Sequence, residues 1–83
     1  MTMAPLIWQN NIAGARVRQA RIACGFSQGD LAVQLQVLGI NLTQQSISRM
    51  EKGERFITDY ELLTLSQVLR RDIYWMLGEE KGE

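Results

Sequence analysis

The chain has 83 residues, 46% of them hydrophobic, with nine basic and nine acidic side chains and a formal net charge of zero. That is the size and make-up of one small globular domain with a marginal core, which excludes a second large domain and a repeat array. With no histidine and Cys24 as the only cysteine, His-based triads, His-ligated metals, Cys-rich zinc sites and an internal disulfide are all excluded, so no metal or cofactor is expected.

Residues 1–8 have neither the basic start nor the apolar length of a signal peptide, and no apolar run approaches the roughly 18 residues of a membrane span. An unprocessed, cytoplasmic chain without membrane contact is expected. Trp8 precedes the first helix and is read as a packing anchor. The first helix starts near Asn10 or Asn11, both good N-caps. Ala13, Val17, Ala20 and Cys24 then fall on one face, a small-sided stripe that lets a neighbour approach closely. Cys24 is expected in the core, Arg21 beside the stripe, and Gly25 as the stop.

Ser27-Gln28-Gly29-Asp30 opens a second helix as a relative of the capping box. Leu31, Leu35 and Leu38 form its apolar stripe with Ala32 beside it, and Gly39 ends it. Val33 and Val37 fall off that stripe. Ile40, Asn41 and Leu42 read as a short connector. Thr43 caps a third helix over 44–52, with Ile47 and Met50 inward and Gly53 as the stop. Thr58-Asp59-Tyr60-Glu61 is a full capping box ahead of Leu62, Leu65 and Leu69, a fourth helix. Asp72 caps a short fifth helix with Ile73, Trp75, Met76 and Leu77, ended by Gly78. The acid-rich residues 79–83 are expected to fray. No segment alternates with period two, so the expected fold class is all-α: five short helices in a single domain over 1–83, with 1–10 and 79–83 as flanking tails.

The third helix carries the most specific chemistry. Gln45, Ser48, Arg49 and Lys52 recur at i, i+3, i+4 and i+7 on the face opposite Ile47 and Met50. Glutamine can bond adenine and arginine guanine through two hydrogen bonds each, while serine and lysine suit phosphates. Taken alone, the same face is also an ordinary solvated one.

The wider pattern resembles the Cro and phage-repressor (Xre-type) helix-turn-helix family. Residues 16–21 with 25–32 look like its opening, and Ser46-Ile47-Ser48-Arg49-Met50-Glu51-Lys52-Gly53-Glu54-Arg55 like its recognition helix and following loop. Residues 43–47 are especially similar to a lambdoid phage repressor, and the resemblance runs over about 12–78. It implies a compact five-helix, lambda-repressor-like domain that binds double-stranded DNA through the major groove, as a homodimer on a palindromic operator. It implies base reading by Gln44, Gln45 and Arg49, and phosphate contacts from Gln28, Ser48, Lys52 and Arg55. Lys52 is equally well read as a solvated lysine, and Arg16, Arg18 and Arg55 as either phosphate contacts or solvated side chains. The family pairs the positions of Arg21 and Glu51 in a structural ion pair.

Two departures stand out. Ala32 and Ile47 are farther apart than in the family pattern, so helix two and the turn after it should be lengthened. Arg70-Arg71 stands where the family commonly has glycine and an apolar residue, so helix four is expected to end without a glycine cap. A regulator, in particular a repressor, is the leading expectation. The alternative is an interaction module of the same fold, an antitoxin or co-regulator bound to a toxin or another regulator, for which zero net charge is the best support. An enzyme is not expected: Ser27 and Ser46 are accounted for as helix starts, and no activated nucleophile or Gly-rich phosphate loop is present.

Overall fold

Capping residues, glycine stops and apolar stripes set the helix boundaries, and the computed structural model, which describes residues 10–79, has five helices and no strand among them. They are α1 (Gly14–Ala23), α2 (Gln28–Val37), α3 (Gln44–Glu51), α4 (Asp59–Val68) and α5 (Ile73–Met76). Pro5, Trp8 and the tail from residue 80 onward lie outside the described residues. Among the described residues no helix is long and apolar enough to cross a membrane.

The helix starts follow local chemistry. Ser27 and Thr58 each accept from the third helical N–H while Asp30 and Glu61 reach back to the cap's own N–H, so both capping boxes are closed. Thr43 accepts from the Ser46 N–H. The start of α1 differs from expectation. Its cap is Ala13, and Asn11 stands outside the helix, where its Oδ1 accepts from the Gly14 N–H at 2.7 Å.

Every helix ends the same way. The N–H two residues past the cap returns to a carbonyl in the last turn: Phe26 to Arg21, Ile40 to Leu35, Glu54 to Arg49, Arg71 to Ser66 and Glu79 to Tyr74. This closure needs a left-handed residue just after the cap, which is glycine in four helices and Arg70, with φ 59°, in α4. Helix α4 therefore ends without a glycine, as expected, yet keeps the same left-handed closure with an arginine in the strained position.

Val17, Leu31, Leu35, Leu42, Ile47, Met50, Leu65, Leu69 and Met76 are fully buried and form the core. Helix α3 packs on α1 and α2, α4 on α2, and α5 closes against α1 and α4. Gly14 is buried where α1 meets the end of α3, and a Cβ there would overlap the Met50 carbonyl oxygen. The small-sided stripe of α1 is thus the surface that α3 approaches.

Three positions depart from the expected core. Cys24 is exposed, because α1 ends before it and its thiol points to the Leu69 carbonyl at 3.5 Å. Leu38 is also exposed, whereas Leu42 is buried at 2%. Helix α2 stops at Val37, so Leu38 lies past the last helical turn, and the connection over 38–43 swings Leu42 inward in its place. Gln36 secures that connection by donating to the Leu42 carbonyl at 3.2 Å.

Candidate nucleic-acid interface

Helix α3 owes its position to a buried ion pair at its C-terminal end. Arg21 Nε donates to Glu51 Oε2 at 2.6 Å and Arg21 Nη2 to Oε1 at 3.1 Å, with the side chains only 10% and 2% exposed. The third nitrogen of the fork, Nη1, donates to the Phe26 carbonyl at 2.8 Å. Gln28 Nε2 adds a further bond to Glu51 Oε1 at 3.0 Å. One carboxylate therefore ties together α1, the start of α2 and the last turn of α3. The planar guanidinium suits this task because two parallel N–H groups match two carboxylate oxygens.

A second brace holds the loop after α3. Asn11 Nδ2 donates to the carbonyls of Met50 at 3.0 Å and Arg55 at 2.7 Å. Asn10 donates from its side chain to the Glu54 carbonyl and from its backbone to that of Gly53. Asn11 also accepts from the first N–H of α1, and the two asparagines together hold the far end of α3 and the loop after it. Nothing in local sequence pattern signals that partnership, since the bonded positions lie some forty residues apart.

Arg55 is committed to Glu61 by a two-bond ion pair at 2.9 and 3.2 Å and also donates to the Phe56 carbonyl. Burial pushes the Glu61 carboxyl up, but the Arg55 guanidinium and the Thr58 N–H and hydroxyl outweigh it and hold the group below its ordinary range. Glu61 in turn raises the Arg55 guanidinium further. This pair pins the loop over 52–58 to the start of α4. Neither partner's position on a helical repeat points to the other, because they face each other across the loop.

The outer face of α3 is different. Gln44, Gln45, Arg49 and Lys52 are exposed and Ser48 is half-buried. None of these five side chains has a hydrogen bond or ion pair to another described residue. Gln44 leans back over the start of α2, where a Cβ on Gly29 would lie 3.6 Å from its Oε1. Two amides, a hydroxyl and two cations are thus presented together on a rigid helix, with their hydrogen-bonding groups unspent. Gln28 is half-buried beside them and shares its amide with Glu51. Among the described residues, no group of three or more Cys, Asp or Glu side chains is placed to hold a metal ion.

The other arginines divide. Arg18 is exposed. Arg16 is not available to a phosphate in this arrangement: Nη1 donates to the Trp75 carbonyl at 2.8 Å, and its guanidinium lies 4.8 Å from the Trp75 ring centre. Arg71 covers the same ring at 4.5 Å. Trp75 is therefore a packing anchor for two cations.

A family model described as helix-turn-helix matches residues 17–76, most of the chain. No curated protein and no solved structure matches. The matched span begins inside α1 and closes with α5, and it contains the whole capped, ion-paired α2–α3 unit. The chain belongs to the Cro/Xre-type helix-turn-helix family of DNA-binding regulators.

Proposed function

We propose that the protein is a sequence-specific repressor that binds a palindromic operator as a homodimer, with α3 lying in the major groove. One observation carries this reading: the polar side chains on the outer face of α3, four exposed and Ser48 half-buried, have no partner among the described residues, while the opposite face is fixed by a buried ion pair. A reader of base edges needs such pre-organisation, because an arginine or glutamine already engaged elsewhere gains little from a base. Gln45 and Arg49 are the central readers, and Gln44 reaches the leading end of the site. Ser48 and Lys52 take phosphates. Gln28 keeps one N–H for a phosphate beyond the one given to Glu51, and Arg55 approaches the backbone only with donors that Glu61 leaves free.

The homodimer reading has its own support. Tyr60, Leu63 and Tyr74 are 60%, 50% and 46% exposed, and a cleft over Asp59, Tyr60, Leu63 and Ile73 joins α4 to α5. Clustered exposed aromatic and aliphatic side chains of this kind mark association surfaces. Met76 is fully buried and Trp75 is covered by two guanidiniums, so of the apolar residues of α5 it is Ile73 and Tyr74 that are open to a partner.

Selection from a random duplex pool, run at several salt concentrations with the intact chain and with Gln45→Ala, tests the reading. An enriched inverted repeat with half-sites about 34–36 Å apart, blurred at one base position in the variant, is expected. Affinity should fall steeply with salt as phosphate counterions are released. No enrichment, with weak binding insensitive to salt, would retire the regulator and leave an interaction module that uses the fold without DNA.

A further inference from the structure

Arg70 occupies a position that four sibling helices give to glycine. A side chain in the left-handed region costs free energy that glycine avoids. Arg70 recovers none of it locally, because its guanidinium makes no hydrogen bond or ion pair with another described residue. The side chain instead stands at the edge of a cleft of about 620 Å³ between the end of α1, the middle of α2 and the end of α4. Ala23, Phe26 and Val68 supply apolar lining, and Gln34 and Gln67 supply amides. The lining has one cation and no acid.

Two exposed apolar residues stand at the end of α2, outside the lining of the cleft. Val37 follows Gln34 by three residues, one turn along the same side of α2, and Leu38 is the residue that caps the helix. They are 78% and 57% exposed. Neither has a role in the core or on the α3 face. No residue of α3 lines the cleft, so its occupation and that of the DNA-reading face involve separate surfaces.

We propose that this cleft docks an acidic segment of a second protein, anchored by an apolar side chain between Phe26 and Val68 and by a carboxylate on Arg70. The chain's own residues 80–83, Glu-Lys-Gly-Glu, have the charge but no apolar side chain to fill the walls. A nucleic acid is the poorer match because the lining has a single cation among amides and apolar groups. This proposal does not depend on the operator reading, and its readouts are separate.

A phage-displayed library of random dodecapeptides, panned against the folded full chain, supplies the probe. Enriched peptides are expected to combine Asp or Glu with a large apolar residue. They should slow modification of Cys24 by a thiol reagent, since Cys24 lines the same cleft. Arg70→Gly suits the left-handed backbone and removes the whole side chain, guanidinium included. It should melt at higher temperature, bind the peptides about tenfold more weakly and leave duplex affinity unchanged. Equal peptide binding by Arg70→Gly, enriched peptides without acids, or unprotected Cys24 would overturn the proposal. Lower duplex affinity in Arg70→Gly would make Arg70 a phosphate contact, and loss of self-association would make a second copy the occupant. Either result also overturns it.

Discussion

Glu51 accepts three N–H groups from two side chains while almost wholly buried. Glu54, three residues on, is exposed, and only its backbone is used in the fold. Removing one partner of a buried pair strands the other charge away from water, at a cost of about 3–5 kcal/mol. Glu51→Ala should therefore lose that much in a urea melt, and Glu54→Ala less than about 0.5 kcal/mol. Equal losses would show that the ion pair does not hold α3. Glu61 leads to a prediction about pH. Its carboxyl is held below the ordinary value of 4.5 in the folded chain, so the folded state favours the charged form. The contribution is present above that ordinary value and is lost as pH falls through the lowered one. Glu61→Gln, which cannot titrate, should show a shallower loss of stability than the intact chain in melts between about pH 5 and pH 3. Parallel curves would show that the Arg55 pair adds nothing.

At the scale of elements, α1 and α3 are joined through the absence of a side chain. Glycine to alanine inside a helix ordinarily gains up to about 1 kcal/mol. At Gly14 the new methyl would meet the Met50 carbonyl, a backbone atom at the end of α3 that cannot rotate away. Overpacking of this kind costs about 1–3 kcal/mol, so the expected sign reverses. Gly14→Ala should destabilise the fold and also weaken duplex binding, because relief of the clash displaces α3, the proposed reading helix. A stabilised variant with unchanged binding would contradict this account. The small-sided stripe of α1 was legible as a sign of close approach, since Ala13, Val17 and Ala20 share one face. Its partner was not legible, because a helical repeat does not say which helix arrives. The connection over 38–43 shows the same limit: Gly39 correctly marks the stop of α2, but the exchange of Leu38 for Leu42 in the core depends on where the chain goes after the turn.

For the molecule as a whole, the division of surface matters most. The polar face of α3, the aromatic cleft on α4 and α5, and the cleft beside Arg70 use different residues. Leu63→Glu places a charge on the proposed self-association face without touching α3. It should shift sedimentation of the chain toward the monomer and reduce affinity for an inverted repeat far more than for a half-site. Retained self-association would move the dimer contact elsewhere. Net charge describes the whole chain and not one face: Arg49 and Lys52 are exposed on α3, whereas Arg16, Arg21 and Arg55 are engaged within the fold.

Local chemistry in the sequence determined the helices. Ser27, Thr43 and Thr58 satisfy N–H groups only a few residues away, glycines close four of the five ends, and the apolar repeats say which face turns inward. The outward display of Gln45, Arg49 and Lys52 follows from that same repeat. The Arg21–Glu51 pairing was supplied by resemblance to a family and not by spacing. Only the tertiary structure decided which polar groups are already spent. It committed Arg55 to Glu61, Arg16 to Trp75, and Asn10 and Asn11 to the loop after α3. It also left Cys24 exposed beside a cleft and Arg70 in a strained turn. The physical reason is range: caps and stripes act within one helical turn, whereas a charge's partner is set by where the whole chain returns in space.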